Sequence, residues 1–142
     1  MAIALVAHMP LVRDVMSKNP IVIDAEAPLG DAFDLLQANE IRHLPVVRGG
    51  ALVGMVSDRD LRTLVPRIVD RQTLDELKAR YDAPISSVMA TDVETLHPEQ
   101  DLDESIDVLL EYKVGALPVV DPTTKAVKGI LSYVDVLRAL RS

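Results

Sequence analysis

The 142-residue chain contains no cysteine and no tryptophan, and aromatic residues make up only 3% of it. Without cysteine, the chain can form neither disulfides nor thiolate metal sites. The scarcity of aromatic side chains leaves few surfaces on which single-stranded nucleic acid could stack, and a net charge of -7 opposes binding to a phosphate backbone. We therefore expect no nucleic-acid partner. We also expect no metal, because His8, His43 and His97 lack the spacing of a metal site.

Long hydrophobic runs are absent as well. Residues 1–7 are apolar but too few to span a bilayer, and they have neither a basic flank nor a recognisable cleavage site. We expect a cytoplasmic protein with no membrane partner. The sequence also lacks a nucleophile elbow, a glycine-rich phosphate loop and a histidine paired with carboxylates at a catalytic spacing, so we expect no enzymatic activity and no catalytic residue.

The chain does contain one unit twice. The pattern Gly-x-x-Ser-x-x-Asp at residues 54–60 recurs 75 residues later at 129–135, and Leu-Pro-Val-Val occurs at 44–47 and 117–120. Matches spread over such a length indicate a repeated supersecondary unit. A unit of about 60 residues is only marginally stable alone, so two copies packed together are expected.

Each copy changes its hydrophobic period in the same order. A short extended run (20–23; 93–96) precedes a helix, which is followed by two strands and a second helix. In the first copy, Gly49 and Gly50 separate the two strands and predict a hairpin. The predicted apolar helix faces carry Leu29, Ala32, Phe33, Leu36, Leu61, Leu64 and Val65 in the first copy and Leu102, Ile106, Leu109, Leu110, Val136, Leu137 and Leu140 in the second.

The fold class that follows is α/β (α+β), with two β-α-β-β-α repeats. We divide the chain into an N-terminal segment at 1–11, repeat 1 at 12–65, a linker helix within 66–83 and repeat 2 at 84–142. In the linker, Leu74, Leu77 and Tyr81 recur at helical spacing, and we expect this helix to cover the edge of a core.

The repeated motif allows two interpretations. A carboxylate can accept hydrogen bonds from both hydroxyls of a ribose, which suits Asp60 and Asp135, and the hydroxyls of Ser57 and Ser132 suit phosphate or ribose oxygens. The glycine three residues before each serine lets a ligand or a neighbouring strand approach closely. Alternatively, Ser-x-x-Asp is a helix capping box with no ligand.

These motifs, with the openings Val12-Arg-Asp-Val-Met-Ser17 and Ile85-Ser-Ser-Val-Met-Ala90, resemble a tandem pair of cystathionine-β-synthase (CBS) domains. The resemblance covers nearly the whole chain, and five pieces recur in order with near-constant spacing. It implies two repeats packed about a pseudo-two-fold axis, with interface clefts that bind adenosine-containing ligands. Because no fused domain is present in the sequence, we expect a stand-alone regulatory module, also called a Bateman module.

The resemblance further implies that each cleft takes its ribose-binding aspartate from one repeat and its base pocket from the other. The first nucleotide-binding cleft would contain Ser57, Arg59, Asp60, Met89, Val93, Val114, Gly115 and Ala116. The second would contain Met16, Ile21, Ile41, Arg42, His43, Ser132 and Asp135. The first has a small apolar wall for a base and an arginine for phosphate, and we expect it to be occupied first.

The sequence thus favours a ligand-sensing module without a cofactor. AMP or ATP is the leading ligand, with S-adenosylmethionine or NAD as lesser candidates. Ligand binding would shift the populations of two conformations, and an unknown regulated protein would read the shift. The resemblance implies a homodimer. The alternative is a protein-interaction or oligomerisation module with empty clefts.

Overall fold

The structure, a computed structural model, describes residues 10–64 and 71–141. Three of the predictions therefore fall on residues outside these ranges. They concern most of the N-terminal segment, including the apolar residues 1–7, the start of the linker, and Val65. The chain forms two compact units. We call residues 21–93 the Asp60 unit, and residues 1–20 with 94–142 the Asp135 unit.

The described elements comprise helices, strands and a 3-10 turn. In chain order they are α1 (Val12–Val15), β1 (Ser17–Lys18), β2 (Ile23–Asp24), α2 (Leu29–Asn39), β3 (His43–Arg48), β4 (Ala51–Ser57), α3 (Asp58–Arg62), α4 (Arg71–Asp82), a 3-10 turn (Ile85–Ser87), α5 (Leu102–Tyr112), β5 (Ala116–Val120), β6 (Val127–Ser132) and α6 (Tyr133–Arg141). This order confirms the predicted mixed α/β class. No helix among the described residues is long and apolar enough to cross a membrane.

The Asp60 unit contains a three-stranded sheet in the order β2-β3-β4. β2 runs parallel to β3, whereas β3 and β4 form an antiparallel hairpin. The hairpin turn is the predicted one, because Gly49 and Gly50 have φ of +60° and +82°, which side chains with a Cβ rarely adopt. Of the extended run predicted at 20–23, only the last residue, Ile23, belongs to a strand, which is β2.

Helix α2 covers this sheet with the apolar stripe that its spacing predicts. Pro28 precedes the helix, and Leu29, Ala32 and Leu36 are buried against Val46 and Val56 in one core. Phe33, however, was expected on the same face, and its side chain is 49% exposed. That expectation was wrong.

The Asp135 unit contains a second sheet in the order β1-β6-β5, in which every pairing is antiparallel. Its core includes Leu102 and Leu109 of α5 and Val136 of α6. The predicted helix faces extend too far here, since Leu110, Leu137 and Leu140 are 70%, 55% and 39% exposed. The run at 93–96 forms no strand and contributes only a bridge between Leu96 and Val119.

Each unit takes its opening segment from the other sequence repeat. Residues 85–90 belong to the Asp60 unit, where the N–H of Ala90 donates to the carbonyl of Met55 at 2.9 Å and the N–H of Met55 donates back at 3.0 Å. In the Asp135 unit, Ser17 of β1 pairs with Ile130 of β6 in the equivalent register. The compact units therefore do not coincide with the sequence repeats.

The motif glycines permit this close pairing. A Cβ added to Gly54 would lie 2.7 Å from the carbonyl oxygen of Ala90 and 2.7 Å from Sδ of Met89. A Cβ on Gly129 would lie 2.8 Å from the carbonyl oxygen of Ser17 and 2.5 Å from Sδ of Met16. Real Cβ atoms do not approach so closely, so the motif needs glycine because a neighbouring segment lies against it.

Candidate functional site

In the Asp60 unit the repeated motif lies where β4 ends and α3 begins. Ser57 remains extended as the N-cap residue, with φ -119° and ψ 160°. Its Oγ accepts a hydrogen bond from the N–H of Asp60 at 3.1 Å, and its own N–H donates to Oδ2 of Asp60 at 3.0 Å. The predicted capping box is therefore present, and it does not decide between the two interpretations of the motif.

The capping arrangement does not use the whole carboxylate. An ionised carboxylate has two oxygens with about four acceptor sites. The cap uses Oδ2 of Asp60, and Oδ1 accepts no hydrogen bond from any of the described residues. Asp60 is partly exposed, and the role of its Oδ1 as an acceptor for a ligand hydroxyl stays a prediction.

The Asp135 unit repeats this geometry at the end of β6. The N–H of Ser132 donates to Oδ2 of Asp135 at 2.9 Å, and the N–H of Asp135 donates to Oγ of Ser132 at 3.1 Å. Oδ1 of Asp135 differs from its counterpart, because it accepts a hydrogen bond from Oγ of Ser17 at 3.1 Å. Sequence reasoning missed Ser17. The offset of 73 that aligns Met16 with Met89 also aligns Ser17 with Ala90, but this alignment does not indicate a bond to Asp135.

The start of β3 brings a basic pair to the Asp60 motif. His43 pairs with Ser57 across the hairpin, and the carbonyl of Arg42 accepts from the N–H of Asp58 at 2.9 Å. Burial lowers the pKa of His43, the charge of Asp60 opposes that shift, and the charge of Arg42 adds to it. His43 is half-buried and Arg42 is exposed.

The corresponding strand start in the Asp135 unit has no charge. Ala116 pairs with Ser132, and the carbonyl of Gly115 accepts from the N–H of Tyr133 at 3.2 Å. The backbone frame is therefore the same in both units, whereas Arg42 and His43 are replaced by Gly115 and Ala116. The exposed Arg59 likewise corresponds to Val134.

The structure distributes the predicted site residues between the units as follows. The Asp60 unit contains Ile21, Ile41, Arg42, His43, Ser57, Arg59, Asp60, Met89 and Val93. The Asp135 unit contains Met16, Val114, Gly115, Ala116, Ser132 and Asp135. Within each unit the predicted methionine lies against the motif glycine, as described above. The grouping of these residues into two particular clefts stays a prediction.

Two other features of the described residues bear on the site. The described part of the chain contains no group of three or more histidine, aspartate or glutamate side chains that could hold a metal ion. An apolar cavity of about 250 Å³ in the Asp60 unit is lined by residues of α2 and α4, Leu61 and Leu64. None of the predicted site residues lines this cavity. Leu77 and Tyr81 of α4 line this cavity, but Leu74 and Tyr81 are 55% and 50% exposed, so the covering role expected of the linker helix stays a prediction.

Comparison with known proteins agrees with this architecture. The family model described as CBS domain matches residues 12–67 and 85–142. The chain is 32% identical over 123 residues to inosine-5'-monophosphate dehydrogenase of Nitrosopumilus maritimus, which covers 86% of this chain but only 22% of that enzyme. The chain also spans only 14% and 23% of the lengths of two other enzymes that it matches.

Two solved structures are similar over nearly the full length. CBSX2, a CBS-pair protein of Arabidopsis thaliana, was solved in complex with AMP; it is 29% identical with a TM-score of 0.77, covering 93% of this chain and 97% of CBSX2. The CBS domain pair of protein MJ0100 was solved with 5'-methylthioadenosine and S-adenosyl-L-methionine. It is 27% identical with a TM-score of 0.73, covering 94% of this chain and 97% of that pair.

Proposed function

Because this chain belongs to the CBS domain family, we propose that it is a regulatory module that binds adenosine-containing nucleotides and signals to a partner protein. The observation that carries the proposal is the carboxylate of Asp60, which caps a helix through Oδ2 while its Oδ1 accepts no hydrogen bond from the described residues. The complexes of CBSX2 with AMP and of the MJ0100 pair with two adenosine compounds support the ligand class.

The chemistry of a ribonucleoside matches these groups. The two ribose hydroxyls are donors that a carboxylate accepts through short, charge-assisted hydrogen bonds. The opening segment supplies Met89 beside the motif, and a thioether side chain adapts to the flat apolar face of a base. We assign ribose recognition to Asp60 and Asp135 in their respective units.

Phosphate should favour the Asp60 unit. The resemblance grouped Arg42 and His43 with Asp135, but both belong to the Asp60 unit, where His43 pairs with Ser57. Arg59 belongs to this unit too and makes no ion pair with another described residue. The corresponding positions in the Asp135 unit are Gly115, Ala116 and Val134, none of which carries charge. AMP and ATP are therefore the leading ligands, and S-adenosylmethionine and NAD come after them.

Signalling requires that the ligand bind one conformation of the module better than another. A ligand can shift such an equilibrium only by its difference in affinity between the two states. A partner that recognises the favoured state would then read ligand concentration. The partner is a regulated protein, and we propose that the module acts as a homodimer in the cytoplasm.

A second function is favoured by a different observation. Leu110, Tyr133 and Leu137 in the Asp135 unit are 70%, 57% and 55% exposed, which leaves large apolar side chains in water. Such side chains suit a protein–protein interface. The alternative is therefore a protein-interaction or oligomerisation module that binds no ligand.

Light scattering coupled to size-exclusion chromatography tests directly whether the protein is a homodimer. Leu137→Ser should shift a dimer towards monomer.

Thermal-shift measurements separate the two functions. AMP, ADP, ATP, S-adenosylmethionine and NAD would each be titrated into the protein, with inorganic phosphate and GMP as controls. A ligand at 100 times its Kd adds about 2.7 kcal/mol of apparent stability, which raises Tm by several degrees. We expect AMP or ATP to raise Tm and inorganic phosphate to leave it unchanged. If no adenosine compound raises Tm, the sensing function is wrong and the interaction module is favoured.

A further inference from the structure

The two motif carboxylates differ in how many of their oxygens the protein itself occupies. Asp135 accepts from the N–H of Ser132 through Oδ2 and from the hydroxyl of Ser17 through Oδ1. Asp60 accepts from the N–H of Ser57 through Oδ2, and none of the described residues donates to its Oδ1. The difference comes from a side chain outside the repeated motif.

The residue equivalent to Ser17 is Ala90. Ser17 pairs with Ile130 of β6, and Ala90 forms a bridge with Met55 of β4. Ile130 and Met55 are equivalent, because the repeated motifs are 75 residues apart, so Ser17 and Ala90 hold the same register. Both lie against the motif glycine of their unit, through their carbonyl oxygens. The backbone is therefore equivalent, and only the hydroxyl group is missing at Ala90.

We infer that Ser17 lowers the affinity of Asp135 for ribose, so that the Asp60 unit binds ribonucleosides more tightly for a reason independent of phosphate. This inference rests on the proposed function. A ribose diol approaching Asp135 finds one acceptor site of Oδ1 taken by the hydroxyl of Ser17, whereas none of the described residues donates to Oδ1 of Asp60. Ser17 is exposed, so its hydroxyl can turn to water, and the cost is that of exchanging one hydrogen bond.

The inference predicts opposite effects for two reciprocal substitutions. Ser17→Ala removes the competing donor and should strengthen binding of AMP to the Asp135 unit. Ala90→Ser adds a donor at the equivalent position and should weaken binding to the Asp60 unit. Each change should be roughly three- to tenfold in Kd, which corresponds to the net contribution of one hydrogen bond.

Isothermal titration calorimetry with AMP can measure each unit separately. Ser17→Ala is tested with Asp60→Asn present, so that Asp135 is the remaining ribose carboxylate, and Ala90→Ser is tested with Asp135→Asn present. Ser17→Thr retains the hydroxyl and is the matched control; it should keep the affinity of its parent. Thermal melting without ligand checks that each variant is folded.

A ligand without the ribose hydroxyls distinguishes competition for the carboxylate from a general structural effect. For 2',3'-dideoxyadenosine monophosphate, Ser17→Ala should leave Kd unchanged, because no diol competes with Ser17. The inference is overturned if Ser17→Ala leaves AMP affinity unchanged or weakens it, or if AMP and the dideoxy analogue respond equally. If the wild-type protein binds AMP but Ser17→Ala and Ala90→Ser do not change the affinity in opposite directions, only this inference fails. If wild-type protein binds no adenosine compound, the proposed function fails with it.

Discussion

Ser57 and Asp60 donate to each other through their backbone N–H groups, at 3.0 Å from Ser57 to Oδ2 of Asp60 and at 3.1 Å from Asp60 to Oγ of Ser57. The same reciprocal pair is formed by Ser132 and Asp135. Capping and ligand binding are therefore compatible, because the cap leaves acceptor sites on the carboxylate. The two roles can be separated by substituting the serine and the aspartate independently.

Replacing the capping serine should reduce stability in either unit. Ser57→Ala leaves the N–H of Asp60 without its acceptor and should lower the free energy of unfolding by about 1 kcal/mol. Ser132→Ala should cost a similar amount, since its bond length is the same. Urea unfolding followed by circular dichroism measures both. Unchanged midpoints would show that the caps contribute nothing, and Ser57→Thr is the control that keeps the acceptor.

Adding a methyl group to a motif glycine should displace the opening segment of that unit. Gly54→Ala places a Cβ against the carbonyl oxygen of Ala90, which cannot rotate away as a side chain can. We expect a loss of about 1–3 kcal/mol in unfolding free energy and faster amide exchange at Met55 and Ala90. In Gly54→Ala with Met89→Ala, the backbone clash remains. Full recovery of stability by the second substitution would contradict the account.

The effect of Gly30→Ala on stability should change sign when Tyr81 is also substituted. A Cβ on Gly30 would overlap the ring of Tyr81, which lines the apolar cavity of the Asp60 unit. Gly30→Ala alone should destabilise the protein by displacing that ring from α2. With Tyr81→Ala present, the same substitution should stabilise it by up to about 1 kcal/mol, because alanine is the better helix former. A double-mutant cycle of unfolding free energies measures the coupling. Equal effects in both backgrounds would show that the ring does not lie against Gly30.

His43 should make stability depend on pH. Because burial lowers its pKa below 6.5, the unfolded chain binds a proton more readily than the folded one. The stabilising contribution is fully present above pH 6.5 and is lost as the pH falls through the folded pKa. His43→Gln should flatten the loss of unfolding free energy below pH 6.5.

Asp60→Asn tests the titration of His43 by removing the neighbouring negative charge. The charge of Asp60 raises the pKa of His43, so removing it should lower that pKa further and extend the acid-sensitive range downward. Unfolding midpoints measured between about pH 5 and pH 8 compare the wild-type protein with both variants. An identical pH profile in His43→Gln and the wild type would exclude His43 as the source.

Local patterns predicted most elements of the fold. The hairpin follows from Gly49 and Gly50, whose positive φ few other residues tolerate, and the capped helix start follows from Ser57 and Asp60. Apolar spacing predicted part of the buried face of α2 and α5, since Leu29, Leu36, Leu102 and Leu109 are buried. These features depend on residues close together in the chain, which sequence patterns describe well.

Long-range pairing was not predictable in the same way. β1 consists of two exposed residues, Ser17 and Lys18, and its partner β6 lies more than 100 residues away, so no hydrophobic alternation indicated it. The exchange of opening segments between repeats follows from such pairings. The resemblance placed Met16 with Asp135, but the bond from Ser17 to Asp135 depends on a side-chain position that no pattern in the sequence describes. The exposure of Phe33 and Leu137 likewise depends on packing that a helical period does not describe.

Calorimetric titration of AMP into Asp60→Asn, Asp135→Asn and the double variant tests the central claim most directly. Asparagine keeps a carbonyl oxygen that can accept the capping bond but loses the charge and one of the two acceptors for the ribose diol. We expect folded proteins with a melting temperature close to wild type, an affinity loss of about 1.5–3 kcal/mol in the affected unit, and no measurable binding by the double variant. Wild-type affinity for AMP in the double variant would show that these aspartates only cap helices.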